Sequence, residues 1–290
     1  MKVLVIGSGP AGISAALYAR RGGAEVTVVS KGSGALGKAE RIENYYGMEE
    51  PVPGAELERR GIAGAKRLGI HFVTDEILEL GFREDMRGFQ ANSKKRVYEA
   101  GSVVLAAGAS RKSPPIPGLQ GLEGHGVSYC AVCDAFFYRG KRVAVLGAGE
   151  YALHEAKTLL PLVSKAFLLT NGAPPAAPLP EGLELNEGKL QAVLGEKKVE
   201  AVKMESGEEI PLDGIFVAIG TAGSTELARK MGILLDGNAI KTGEDGSTNI
   251  PGVFAAGDCT GGLLQIPKAV YQGAVAGLSV VKYLREREDS

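Results

Sequence analysis

Cys130 and Cys133 stand two residues apart in the stretch Cys130-Ala131-Val132-Cys133-Asp134, with a carboxylate directly after them. A cysteine pair at this spacing can close a small disulfide ring, and where it opens a helix the N-terminal dipole favours the nucleophilic thiolate. The acid beside the second cysteine supplies a proton donor and acceptor near a leaving thiolate, which thiol–disulfide exchange needs in each turnover. The spacing alone also suits half of a zinc site or a structural disulfide. Tetrahedral zinc needs two more ligands, and only Cys259, His71, His125 and His154 remain, in no paired spacing. No metal is expected.

The elements that must position this pair read as strand–turn–helix units. The run Lys2-Val3-Leu4-Val5-Ile6 ends on Gly7-Ser8-Gly9-Pro10-Ala11-Gly12, followed by a helical pattern over 13–21. This is a dinucleotide fingerprint in its required context: Gly7 for the tight turn, Gly9 for close approach of a pyrophosphate, Gly12 for packing of helix on strand. The helix N-terminus, at Pro10 and Ala11, faces the phosphates. The second strand, 25–30, ends on Ser30 and Lys31, where an adenine-ribose site usually has an acid. Residues 102–107 form another buried strand, ending at Ala107 and Gly108, and 253–256 a fourth, ending at Gly257 and Asp258. A second unit begins at 142–146 and runs into Gly147-Ala148-Gly149-Glu150-Tyr151-Ala152. There Glu150 brings charge and Tyr151 bulk to a turn that a pyrophosphate would need open.

Four blocks, occurring in order, resemble the low-molecular-weight thioredoxin reductases: the Gly7 fingerprint, Gly108-Ala109-Ser110-Arg111-Lys112, Gly126-Val127-Ser128-Tyr129-Cys130-Ala131-Val132-Cys133-Asp134, and Val253 to Asp258. The resemblance covers nearly the whole chain. It implies FAD on the first and last segments and a dithiol-bearing middle segment. It implies that Cys133 faces the flavin, Cys130 attacks a protein disulfide, most simply that of thioredoxin, and Asp134 shuttles the proton. His125 then reads as a turn histidine, since Asp134 matches the family's acid. The block Arg41-Ile42-Glu43-Asn44-Tyr45-Tyr46-Gly47 carries over Asn44 as a flavin contact, with Tyr46 where most members have proline. The cofactor-binding set is thus Gly7, Gly9, Pro10, Ala11, Gly12, Ser30, Asn44, Ala107, Gly108, Gly257 and Asp258. A homodimer is implied by the family.

The electron donor is where the chain departs from that family. Members that use NADPH have a His-Arg-Arg run after the strand at 166–170, whereas this chain has no Lys or Arg between Ala166 and Gly188 and has Glu181, Glu184 and Glu187. A 2′-phosphate would find no cationic partner there, each missing charge-assisted pair being worth roughly 1.5–3 kcal/mol. The Pro/Ala-rich stretch 173–180 reads as a loop that fills the nucleotide's place or as a mere connector. Cys259-Thr260-Gly261, the Gln265 and Lys268-Ala269 spacing, Tyr46 and Ala135 resemble the ferredoxin-dependent flavin thioredoxin reductases, a branch without a pyridine nucleotide. Lys268 is then a candidate for an acidic carrier's docking patch, or a solvated lysine, and Cys259 a small buried residue.

The resemblance implies an α/β protein of two Rossmann-like domains, of the three-layer FAD/NAD(P)-binding type, the second inserted into the first. The 290 residues, 44% hydrophobic and with 42 glycines, suit two cores and many tight turns. The expected segments are 1–113 and 244–290 for FAD and 114–243 for the NAD(P)-like domain with the dithiol, the prolines from Pro114 to Pro117 marking the first crossing. A net charge of −1 gives no footprint for nucleic acid or an anionic membrane. The apolar N-terminal run stops at Gly7, too short for a signal or spanning segment, and three cysteines fit a reducing compartment, so the expected address is cytoplasmic. The expected function is a FAD-dependent reductase passing electrons through Cys130/Cys133 to thioredoxin, fed by reduced ferredoxin. Its rivals are an NAD(P)H-dependent reductase with a diverged nucleotide site and a flavin electron carrier or sensor without disulfide turnover.

Overall fold

The computed structural model describes residues 1–39, 41–108, 114–129, 131–219 and 223–288, with backbone alone at Lys38, Val132 and Cys133. The chain divides into two compact units, Met1–Ser110 with Gly223–Ser290, and Arg111–Ala222.

The chain enters the first unit with β1 (Lys2–Ile6), α1 (Pro10–Arg21), β2 (Glu25–Ser30), α2 (Gly54–Arg67), β3 (His71–Thr74), β4 (Ile77–Phe82), β5 (Phe89–Ser93), β6 (Val97–Ala100) and β7 (Ser102–Leu105). The second unit contributes β8 (Val127–Ser128), α3 (Ala131–Asp134), β9 (Arg142–Leu146), α4 (Glu150–Leu159), β10 (Lys165–Leu169), β11 (Leu183–Asn186), β12 (Leu190–Leu194), β13 (Ala201–Met204), β14 (Glu209–Pro211) and β15 (Gly214–Val217). The chain returns with α5 (Ser224–Lys230), β16 (Leu235–Asp236), β17 (Ala239–Ile240), β18 (Val253–Ala255) and α6 (Ile266–Glu288).

The first unit is built on a five-stranded sheet in the order β18-β7-β1-β2-β3, every pair parallel. β1 and β7 are apolar runs buried on both faces, as a parallel sheet covered by helices demands. An antiparallel sheet β4-β5-β6 accompanies it. The alternation of apolar and charged runs from Ile70 to Tyr98 suits an antiparallel sheet, but its first strand, β3, joins the parallel sheet instead, with Ser30 opposite Thr74. α1 and α6 pack with almost no side chain between them. A Cβ on Gly273 would lie 2.1 Å from the Ala11 carbonyl oxygen, and one on Gly277 2.4 Å from that of Ala15. The small residues of α6 are therefore a contact requirement.

The second unit has a parallel sheet in the order β11-β10-β9-β15-β8 and an antiparallel sheet β12-β13-β14. Its core gathers Leu119, Leu146, Leu169, Val202, Met204 and Ile215. The second crossing falls at Gly223 and not at Gly243. α5 belongs with the first unit, where the buried Ser224 Oγ accepts the Ala107 N–H at 2.8 Å and Lys230 Nζ donates to the Leu78 carbonyl at 3.2 Å. The glycines at 243–249 serve a turn inside that unit, closed by Gly243 N–H donating to Ser247 O at 2.9 Å.

Candidate functional site

In a parallel sheet every strand delivers its following turn to the same edge, the one where ligands bind. In the first unit that edge gathers the Gly7–Gly12 turn after β1, Ser30 after β2, Asp75 and Glu76 after β3, Ala107 and Gly108 after β7, and Gly257 and Asp258 after β18. Gly7 has φ +114°, and a Cβ there would lie 2.3 Å from the Ala106 carbonyl oxygen, so the turn presses against the neighbouring strand's end. A Cβ on Gly12 would lie 2.0 Å from the Gly7 carbonyl oxygen, while one on Gly9 would meet nothing within 4 Å. The turn is thus tight beneath and open above. Gly9 is the N-cap of α1, with no side-chain cap, and Pro10 follows it. Uncapped helix N–H groups below open space suit a pyrophosphate.

Gly257, at φ +87°, leaves its missing Cβ position 2.7 Å from the Cβ of Ala11, which brings the β18 turn beside the start of α1. Two side chains hold this turn, Gln272, which the sequence did not single out, and Lys268. Gln272 Oε1 accepts the Gly257 N–H at 3.0 Å, and Lys268 Nζ donates to the carbonyls of Gly257 at 2.8 Å and Gly261 at 2.5 Å. Lys268 is therefore no free docking lysine; burial pulls its pKa down, against the pull of the Asp258 charge. Cys259 in the same turn is 1% exposed, with Sγ 3.4 Å from the Leu105 carbonyl oxygen, and burial pushes its thiol up to about 11. Asn44 Nδ2 donates to Gln265 Oε1 at 3.3 Å, joining the Asn-Tyr block to the start of α6.

An acid from the segment after β3 stands beside the end of β2. Ser30 Oγ accepts from Ser8 Oγ at 3.0 Å, and the Ser30 carbonyl accepts the Asp75 N–H at 3.0 Å. Glu76 Oε2 pairs with Lys31 Nζ at 2.8 Å, while Glu76 Oε1 is buried with no hydrogen-bond partner. The sequence signal for this carboxylate, its place just after the third parallel strand, was masked by reading 70–98 as antiparallel.

In the second unit the corresponding edge holds the dithiol turn after β8 and the second glycine turn after β9. Cys130 lies outside the described residues, and α3 begins directly after it, with the Cys133 backbone inside the helix. Asp134 Oδ2 accepts from Ser128 Oγ at 2.7 Å, so the last residue of β8 orients the acid. The Ala131 N–H donates to Glu155 Oε2 at 2.7 Å, and Glu155, on α4, is 1% exposed. Tyr138 is raised by burial and by the charges of Asp134 and Asp213. Phe136 and Phe137, 72% and 67% exposed, follow the helix as an uncovered aromatic pair.

At the second glycine turn, a Cβ on Gly147 would lie 2.2 Å from the Ala218 carbonyl oxygen, as in the first unit. Tyr151 differs from expectation. Its ring is 2% exposed and its hydroxyl points 3.4 Å from the Tyr129 carbonyl, so its bulk goes into the core and not into the turn. What does reach the turn is the stretch 173–180: Ala176 donates its N–H to the Ala148 carbonyl at 2.8 Å. At the end of β10, Asn171 has φ +53° and its Oδ1 accepts the Leu190 N–H at 2.8 Å. The missing Cβ of Gly172 faces the stem of Lys189 at 3.6 Å, so one exposed lysine stands near where the family has its arginines.

Among the described residues, no helix is long and apolar enough to cross a membrane. Residues 1–273 match the family model of pyridine nucleotide-disulphide oxidoreductases. The chain is 31% identical to the thioredoxin reductase of Listeria monocytogenes, over 99% of this chain and 95% of that one, and 31% identical to that of Bacillus subtilis, over 99% and 96%. Among solved structures, the atypical thioredoxin reductase TRi of Desulfovibrio vulgaris Hildenborough superposes with a TM-score of 0.92 at 37% identity, covering 98% of each chain. A ferredoxin-flavin thioredoxin reductase of Clostridium acetobutylicum gives 0.73 at 33%, also covering 98% of each. The chain belongs to the pyridine nucleotide-disulphide oxidoreductase family, as a FAD-binding disulfide oxidoreductase of the thioredoxin reductase type.

Proposed function

We propose that this protein reduces a thioredoxin-like disulfide in the cytoplasm with electrons from a reduced ferredoxin-type carrier, and that NADPH is not its donor. The observation that carries the donor reading is the Ala176 N–H on the Ala148 carbonyl, which lays the 173–180 loop on the second glycine turn. The lack of any Lys or Arg from Ala166 to Gly188 and the likeness to a ferredoxin-flavin thioredoxin reductase support it.

In this reading the residues of Gly7 to Gly12 hold the FAD pyrophosphate at the start of α1, and Ser30 with Glu76 meets the ribose hydroxyls. The unpartnered Glu76 Oε1 is an acceptor in want of a donor, which a ribose hydroxyl supplies. Ala107 and Gly108 line the adenine side; Asn44, Gly257 and Asp258 line the flavin side. When bound, FAD would supply the chemistry that gathers two electrons, one from each of two reduced carrier molecules, and passes the pair to the Cys130–Cys133 disulfide. The Cys130 thiolate then attacks the partner's disulfide, forming a mixed disulfide and releasing one partner thiolate. Cys133 attacks the Cys130 sulfur, which frees the second partner thiolate and restores the Cys130–Cys133 bond. Asp134, oriented by Ser128, hands protons to the leaving thiolates. The active species is a homodimer.

A second reading, an NADH-dependent reductase, draws on Tyr151 leaving the turn and on Lys189 beside Gly172. A thioredoxin-coupled assay with NADH, NADPH or reduced ferredoxin, one at a time, separates the readings. Turnover with ferredoxin alone supports the first, turnover with NADH the second, and flavin reduction without any thioredoxin turnover the carrier or sensor.

A further inference from the structure

α3 is too short to carry much of a dipole, and its first peptide N–H is not open to a thiolate. That N–H belongs to Ala131, the amide that joins it to Cys130, and it donates to Glu155 Oε2 at 2.7 Å. Glu155 is 1% exposed, on an α4 that packs against α3. A carboxylate at this depth keeps its field unscreened by solvent, and one peptide bond separates the group it grips from Cys130. The favourable N-terminal environment that a Cys-x-x-Cys helix ordinarily offers its first cysteine is therefore occupied by a buried carboxyl group. The other ionisable groups around α3 are Asp134 on the helix itself, Tyr138 just after it, Glu150, Tyr151 and His154 on α4, and Glu123, which accepts from the Tyr129 hydroxyl. Lys141 stands over the Tyr138 ring, 5.5 Å from its centroid.

We propose that Glu155 is a positioning residue that anchors the dithiol turn and makes the Cys130/Cys133 disulfide harder to reduce, so that the dithiol is a stronger reductant towards its partner. The inference rests on the reading of Cys130/Cys133 as the redox pair. Its sign follows from charge. Reduction of the disulfide yields thiols, and a buried carboxylate beside Cys130 disfavours the thiolate that stabilises the reduced form at high pH.

The test uses Glu155→Gln, which retains an oxygen to accept the Ala131 N–H and removes the charge. Holoprotein is equilibrated in dithiothreitol redox buffers at pH 6 and pH 9.5, and dithiol and disulfide are counted by alkylation and mass. A single charge acting across one peptide bond is expected to move a thiol pKa by about one unit. The dithiol-to-disulfide ratio of the variant then rises nearly tenfold at pH 9.5, about 30 mV, and by less than about twofold at pH 6. An unchanged ratio at pH 9.5, or an equal shift at both pH values, overturns the proposal, since a merely structural loss has no reason to follow thiol ionisation. Should Glu155→Gln fail to fold, Cys133→Ser with Glu155 intact gives the answer. Its Cys130 alkylates with a midpoint at or above the ordinary value of about 8.5, and a midpoint below about 7.5 overturns the proposal. Wild-type protein that forms no reversible Cys130–Cys133 disulfide refutes the redox-pair reading itself, an outcome distinct from both.

Discussion

Ala176 donates its backbone N–H to the carbonyl of Ala148 at 2.8 Å, joining a Pro/Ala-rich loop to the middle of the second glycine turn. A turn of this kind binds a pyrophosphate through backbone amides and free space above them. Here a neighbouring peptide lies against it. The first glycine turn has the opposite character, with nothing within 4 Å of the position a Gly9 Cβ would take. The two units share a plan and differ in what their ligand edges can admit.

The flavin follows from the first turn. Gly9→Glu is expected to yield colourless protein, because the side chain fills the only open approach to the start of α1 among the glycines of that turn. Gly12→Ala, whose Cβ would lie 2.0 Å from the Gly7 carbonyl oxygen, is expected to lower both flavin content and melting temperature, overpacking of this kind costing about 1–3 kcal/mol. Glu76→Gln is expected to weaken FAD binding by about tenfold, corresponding to one charge-assisted hydrogen bond. Flavin absorbance per chain and a thermal melt check all three.

Exchange chemistry predicts a different pattern. Cys130→Ser and Cys133→Ser should each end thioredoxin reduction with flavin still bound, whereas Cys259→Ser should retain turnover, its thiol being buried and raised to about 11. Asp134→Asn should slow turnover by about 10²–10⁴-fold. Ser128→Ala, which removes the 2.7 Å bond that aims Asp134, should slow it by about tenfold. Coupled turnover of the purified variants is the measurement, and an Asp134→Asn enzyme at wild-type rate would remove the acid from the account.

Stability should depend on pH through Asp75 and Tyr98. Burial pushes the Asp75 carboxyl up, but hydrogen bonds from Tyr98, Ser93 and the Glu76 N–H outweigh it, and its pKa ends below the ordinary value. Burial and the Asp75 partner raise Tyr98 to about 12. Asp75 therefore contributes stability above its unfolded pKa and loses it as pH falls through the folded one; Tyr98 contributes below pH about 10 and loses it towards 12. Tyr98→Phe is expected to cost about 1–3 kcal/mol at pH 7, with a smaller cost at pH 3, by urea unfolding.

Much of this was legible in the chain. Gly7, Gly9 and Gly12 announced a strand–turn–helix because each glycine answers a separate steric need, and buried runs such as 2–6 and 102–105 could only sit in a covered parallel sheet. The illegible parts were set by tertiary contact. Nothing in the sequence says that Lys268 turns inward to three oxygens of the Gly257–Gly261 turn, or that Tyr151 packs into the core behind α3. Glu155 lies one helical turn beyond Tyr151, past the glycine turn on which sequence reading concentrated, and it accepts from an amide 24 residues away. The return at Gly223 was hidden because Gly243 offers the stronger turn signal while Ser224 and Lys230 reveal their unit only through bonds to Ala107 and Leu78.

Stopped-flow mixing identifies the electron donor. Oxidised holoprotein is mixed in turn with NADPH, NADH and reduced ferredoxin while flavin absorbance is followed. Ferredoxin is expected to bleach the flavin fast, at a rate that falls as salt rises because charged partners steer each other, and either nucleotide to bleach it little. Rapid bleaching by micromolar NADPH or NADH, ahead of that by ferredoxin, would contradict the ferredoxin reading.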